Sequence, residues 1–258
     1  MNRTGLIIAL SIAAVAGLAF GLFPALDLAI SGYFYGFVDS ANNTFALRVY
    51  PPLMIARDAG LWVGTILVAP AVGALIVKLL LPRTRLLISG RAILFLTATM
   101  ALGPGILVNV ILKDHWDRPR PIDVTQFGGS EHFMPWWKPG GDCPNNCSFV
   151  SGDVAGAFWT IAPAALTPPQ VRAVAYGAAL ALGTAMAMFR MMAGGHFPSD
   201  VIFAGVFTYL IIWLCYALIY RWPRTRLEDE DVERALERIA LPGYDFIVRM
   251  LRKKKTEL

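Results

Sequence analysis

The sequence predicts an all-α fold, a polytopic membrane bundle of about six transmembrane helices, and three observations carry that prediction. Hydrophobic residues fill 56% of the 258 positions and charged residues only 16%, too apolar a balance for an ordinary water-soluble domain. Six apolar stretches approach the roughly 20 residues that a helix needs to cross a hydrocarbon core. The net charge of +5 comes from Lys and Arg beside those stretches, where they orient a membrane protein. The bilayer is therefore the expected partner, and nucleic acid is not.

The stretches are 5–26, 59–81, 92–112, 151–166, 171–190 and 200–220. The first follows Arg3 and reads as a retained signal anchor, because it is long for a cleaved signal and lacks a small-x-small site after Pro24. The fourth is the shortest and contains Pro163, which neighbouring helices tolerate inside a membrane at the expense of a kink. Between the fifth and sixth, Pro198 suits the first turn of a helix and pushes Phe197 out of helical geometry. Arg83, Arg85 and Arg91 follow the second stretch, and Arg221, Arg224 and Arg226 follow the sixth. The positive-inside rule then makes those loops and both termini cytoplasmic, and turns loops 27–58, 113–150 and 191–199 outward. Residues 1–226 form one membrane domain. The tail, 227–258, carries an acidic start, a basic end and apolar residues Leu236, Ile239, Phe246, Ile247 and Leu251. Those suit short amphipathic helices against the inner leaflet, broken near Pro242-Gly243, although a merely solubilising tail is an equal reading.

Three outward clusters carry chemistry. Lys113 and Arg120-Pro121 end the third stretch, and a point charge plus a planar fork suit phosphate oxygens; interfacial snorkelling beside Trp116 is the plainer reading. Ser151-Gly152-Asp153 opens the fourth stretch, where free N–H groups and the helix dipole favour an anion, and where Ser151 also makes an ordinary N-cap. Arg190, His196 and Asp200 span the fifth and sixth. A carboxylate bonded to one imidazole nitrogen would fix the tautomer and leave the other nitrogen as a nucleophile, or the pair simply ties a turn. Cys143 and Cys147 lie four apart in the long outward loop and suit a disulfide better than zinc, since further ligands at ordinary spacing are missing; Cys215 reads as a small core residue.

Lys-x6-Arg-Pro, then Ser-Gly, then Arg-x5-His-x3-Asp resembles the type 2 phosphatidic acid phosphatase (PAP2) family, which shares its site with vanadium haloperoxidases. The motifs span 113–200, and the six-helix layout extends the likeness over most of the chain. The resemblance implies a lipid phosphatase that needs no metal or cofactor. By position, Lys113, Arg120, Arg190, Ser151 and the Gly152 amide would hold the phosphate, and His196, oriented by Asp200, would attack phosphorus to give a phosphohistidine. Positioning and charge neutralisation are what phosphoryl transfer chiefly requires.

Two positions depart from the family pattern. Asp153 stands where a His usually protonates the leaving oxygen, and Phe189 precedes Arg190 where Ser is common. Asp153 would serve as acid/base if protonated when substrate binds; His115 and His132 are alternatives, and an easily departing phosphate would need less help. Arginine bias inside and paired Cys outside fit a bacterial inner-membrane protein with a periplasmic site. Lipid A phosphates lead the expected substrates, ahead of undecaprenyl pyrophosphate, phosphatidylglycerophosphate and phosphatidic acid. Phe127, Phe133, Trp136 and Trp137 would cover an acyl chain or glycan, or form an interfacial belt. A catalytically impaired lipid-phosphate binder and a lipid transporter are the rival classes, the latter expected to carry its charges near the bilayer midplane.

Overall fold

The computed structural model describes residues 1–36 and 44–256, with side chains through residue 250; part of outward loop 27–58 thus lies outside the described residues. Among the described residues, and apart from short 3-10 turns, nine helices follow in order: α1 (Arg3–Leu22), α2 (Ala25–Phe34), α3 (Pro51–Leu80), α4 (Gly90–His115), α5 (Gly152–Trp159), α6 (Ile161–Ala165), α7 (Pro169–Met192), α8 (Pro198–Arg221) and α9 (Asp229–Thr256). Five of them, α1, α3, α4, α7 and α8, are long and apolar enough to cross a membrane. Large apolar side chains stand exposed along their outer faces, Val15 at 68% and Ile66 at 65% among them, as lipid-facing helices require.

The fourth expected crossing differs. It is two short helices, α5 and α6, broken at Thr160, whose hydroxyl donates to the Ala157 carbonyl at 2.7 Å. Residues 152–165 would span only about 21 Å at 1.5 Å per residue, well short of the hydrocarbon core. Their side chains explain how so short a segment is tolerated: Val154, Ala155, Trp159 and Ala162 are all fully buried. Other helices, rather than lipid, surround it. Small residues let those helices close in, and a Cβ on Gly183 would strike the Phe158 ring at 2.6 Å.

Two further elements depart from the expected layout. The first span stops at Leu22, and the stretch read as the start of a loop is helix α2, which carries the buried Asp27. The expected break at Pro242-Gly243 does not occur, because α9 runs unbroken with Pro242 inside it. Leu251 lies beyond the described side chains. In α4, a π-helical section over Ala101–Leu112 follows Pro104's removal of a backbone donor, and the Asn109 side-chain amide donates to the Pro104 carbonyl at 2.7 Å.

Candidate active site

The three sequence clusters meet at one end of the bundle. Arg57, in the first turns of α3, donates through Nε to Asp153 Oδ2 at 2.7 Å, and Arg190 Nε near the end of α7 lies 3.4 Å from the same oxygen. Those contacts bring the starts of α3 and α5 and the end of α7 together. His196, just before α8, feels the charges of Arg190, Arg120 and Lys113, so all three expected phosphate-binding cations lie within electrostatic reach of the imidazole. Gly195 makes the approach possible, since a Cβ there would stand 2.7 Å from Arg190 Nη2. Gly152 likewise leaves room for the Asn109 carboxamide, 2.6 Å from where its Cβ would be.

Ser151 caps α5 by accepting from the Val154 amide at 3.5 Å. That leaves the first N–H groups of the helix, Gly152 included, without an intrahelical acceptor, at the end where the dipole favours an anion.

His196 is 2% exposed, and its Nδ1 lies 2.7 Å from the Ser148 carbonyl oxygen. A carbonyl only accepts, so Nδ1 carries the proton and Nε2 keeps its lone pair. Burial first, and then the neighbouring cations Arg190 and Arg120, hold its pKa well below the ordinary imidazole value of 6.5. The ring is neutral at physiological pH, as a nucleophile must be.

Asp200 does not take the place expected of it. Its Oδ2 stands 4.0 Å from His196 Nδ1, too far for a hydrogen bond, and instead accepts from the Ser148 hydroxyl at 2.5 Å and the Phe197 amide at 2.8 Å. The reason is steric and local: the carboxylate sits in the first turn of α8 and satisfies the amide three residues before it. Asp200 therefore reaches the imidazole through Ser148, whose side chain it holds and whose carbonyl holds the ring.

Behind Asp200 lies a residue that the motif reading passed over. Arg118 is fully buried; it donates to the second oxygen of Asp200, to Asp27 Oδ2 at 2.7 Å, to Ser199 Oγ at 2.8 Å and to the Met134 carbonyl at 2.9 Å. Asp27 in turn accepts from the amide and hydroxyl of Ser199, at 3.0 and 2.6 Å. The guanidinium also stacks over Phe197, 4.5 Å from the ring centroid. One cation thus ties α2, the long loop and α8 into the support of His196.

Asp153 was expected to act as an acid if protonated, and its surroundings argue otherwise. It lies between the guanidiniums of Arg57 and Arg190, and opposite charges at such distances favour the ionised form, which has no proton to give. His115 and His132 are exposed and occupied elsewhere, the first on the Val110 and Ile111 carbonyls and the second on Asp142. Three of the four loop aromatics pack inward: Trp136 with Phe149 and Phe203, Phe133 with Phe197, and Phe127 with Tyr35 and Phe45. Only Trp137, at 51% exposure, remains available at the surface. Cys143 and Cys147 are disulfide-bonded, with Cα atoms 5.8 Å apart, shortly before the Ser148 that contacts both His196 and Asp200.

A buried, neutral histidine within reach of three cations thus stands at one end of a helical membrane bundle. Residues 92–224 match the PAP2 superfamily, and the chain belongs to that family. It is 35% identical over 227 residues, 86% of this chain and 98% of the relative, to a protein named lipid A 4'-phosphatase from Francisella tularensis subsp. novicida (strain U112). Proteins of the same name from Rhizobium leguminosarum and Rhizobium etli are each 40% identical over about two-fifths of the chain, covering 45% and 40% of their own lengths. No solved structure matches. The chain is a multi-pass bacterial membrane protein and a lipid phosphatase.

Proposed function

We propose that this phosphatase removes a phosphate monoester from lipid A at the periplasmic face of the inner membrane, through a phosphohistidine on His196. The supporting observation is the tautomer: the Ser148 carbonyl on Nδ1 leaves the Nε2 lone pair as the only nucleophile the ring can offer. Lys113, Arg120, Arg190, Ser151 and the Gly152 amide hold the phosphoryl oxygens and neutralise the charge that develops on them.

In the first step the Nε2–P bond forms as the bond from phosphorus to the sugar oxygen breaks, and that oxygen takes its proton from water. In the second, water attacks phosphorus, the P–N bond breaks, and inorganic phosphate leaves. Asp153 positions Arg57 and Arg190, while Asp200 acts through Ser148. Lipid A is favoured among the lipid phosphates by the relative that covers nearly its whole length in this match. The outward, periplasmic orientation rests on the arginines at the opposite end, Arg83, Arg85, Arg91 and Arg221.

The test is phosphate release from lipid A bearing its 1- and 4'-phosphates, in detergent, alongside an alkaline denaturing quench with radiolabelled substrate. Wild type should liberate phosphate and trap an acid-labile, base-stable label on the protein. His196→Ala should do neither. Label retained in that variant would assign the nucleophile to another residue, and phosphate release from phosphatidic acid but not from lipid A would overturn the substrate.

A further inference from the structure

Beyond the phosphate cage, a cavity of about 190 Å³ reaches Gly195, the residue before His196, and four arginines line it: Arg48, Arg57, Arg120 and Arg190. Only two of these, Arg120 and Arg190, belong to the phosphate-binding set; Lys113, Ser151 and Gly152 do not line this space. The far wall comes from a different part of the chain, the turn Ala46–Val49 and the first turns of α3, with Met54 and Phe189 supplying apolar surface between the charges.

A monoester dianion and Asp153, the carboxylate paired to Arg57 and Arg190, offset three of the four guanidinium charges, and the fourth is met only by Asp58, which pairs with Arg57 from outside the cavity lining with its side chain 61% exposed to water. Among the described residues Arg48 has no ion-pair partner, and its charge adds to burial, the larger cause, in lowering the pKa of Arg120. Arg120 spends Nε and Nη2 on the Asn146 carbonyl, and Arg57 spends Nε on Asp153 and Nη1 on Asp58. The remaining guanidinium nitrogens of both are available to a ligand. Clustered cations that share a cavity repel one another until an anion enters.

We infer that Arg48 and Arg57 form a second anion subsite, which takes an additional acidic group of the same headgroup, a phosphate or a carboxylate, a few atoms from the phosphate that reacts. This deepens the proposed function and rests on it: the substrate is a headgroup with two acidic groups, and the second one selects it.

Titration of the purified full chain with three small probes tests this without turnover: methylphosphonate, with one anionic group, and methylenediphosphonate and phosphonoacetate, with two. Wild type should bind at least one two-group probe about tenfold or more tighter than methylphosphonate, since charge-assisted bidentate pairs are the strong ones. In Arg48→Gln that ratio should fall to about threefold or less. Preference for the diphosphonate assigns a second phosphate, and preference for phosphonoacetate a carboxylate. Equal binding of all three probes by wild type, or a ratio that survives in Arg48→Gln, overturns the subsite. Failure of the lipid phosphatase reading would show separately, as no phosphate released from any lipid whatever the titration gives.

Discussion

Two fully buried cations sit at opposite ends of the bundle, Arg118 at 0% exposure and Lys78 at 1%, and they do different things with the same charge. Arg118 binds two carboxylates that are themselves buried, Asp27 and Asp200, and through the second it reaches Ser148 and the imidazole of His196, the proposed nucleophile. Lys78 donates to Glu233 at 3.1 Å and to the Thr84 carbonyl at 2.9 Å, with Glu237 at 3.9 Å; both carboxylates remain partly exposed. It fastens α9 across the end of α3. Burial of a charge therefore does not mark function by itself. What separates the two is whether the partners are also desolvated, and whether one of them leads to a group that reacts.

The sharpest way to break this contrast is Arg118→Met. Removing that cation strands two buried carboxylates, at a cost of about 3–5 kcal/mol. It also frees Asp200 to turn from Ser148, so phosphate release should drop about a hundredfold or more even in protein that remains folded. Asp27→Asn separates the two effects, because it keeps the shape and most hydrogen bonds while removing one charge from the pair. Its kcat should fall with KM little changed, whereas a wild-type kcat would reduce the network to a structural tie. Thermal unfolding in detergent measured beside steady-state kinetics reads both.

A smaller effect is expected at Asp153. If the carboxylate positions Arg57 and Arg190, Asp153→Asn should lose about tenfold in kcat/KM, chiefly through weaker phosphate binding. The alkaline side of the pH profile should be unchanged, since no proton is being donated from this position. Loss of an alkaline limb in the variant would restore Asp153 as the acid. On the acid side, the depressed pKa of His196 keeps the ring neutral as pH falls through the usual imidazole range, so the limb belonging to the nucleophile should lie below pH 6.5. A nucleophile limb at or above that value would mean that the ring is charged in the resting site.

The fold class and the motif residues were legible because both are written locally. Apolar runs fix the long helices, and Lys113, Arg120, Ser151, Arg190 and His196 stand in short motifs at or near the ends of apolar segments. The support of the site was not legible, because it is made of contacts between distant segments. Asp27 pairs with Arg118 across 91 positions and Arg57 with Asp153 across 96, and no local spacing announces either. Arg118 was further masked by Arg120, two residues on, which carries the familiar motif. The order of contacts around His196 was also hidden, since i, i+4 spacing to Asp200 suggests a direct bond that the Ser148 carbonyl in fact makes. The unbroken α9 is a different case. Pro242-Gly243 is a turn signal in isolation, but the acidic start of the helix is anchored by the Asp229 contacts with Ser89 and Arg91, and Glu233 accepts from the Leu86 amide.

Lys78→Met should have the least consequence. The substitution keeps the length of the buried stem and removes only the ammonium, while Glu233 and Glu237, with side chains 27% and 37% exposed, can turn to water. A loss of about 1 kcal/mol or less is expected, with phosphate release within about twofold of wild type. The change should instead appear at α9, as faster amide exchange or proteolysis around residues 229–240, because the contacts of Ser89, Leu86 and Arg91 with that helix lose their central ion pair. If Lys78→Met impaired turnover as strongly as Arg118→Met, the two ends of the bundle would be energetically coupled, and the distinction between a cation that fastens and a cation that orients the nucleophile would fail.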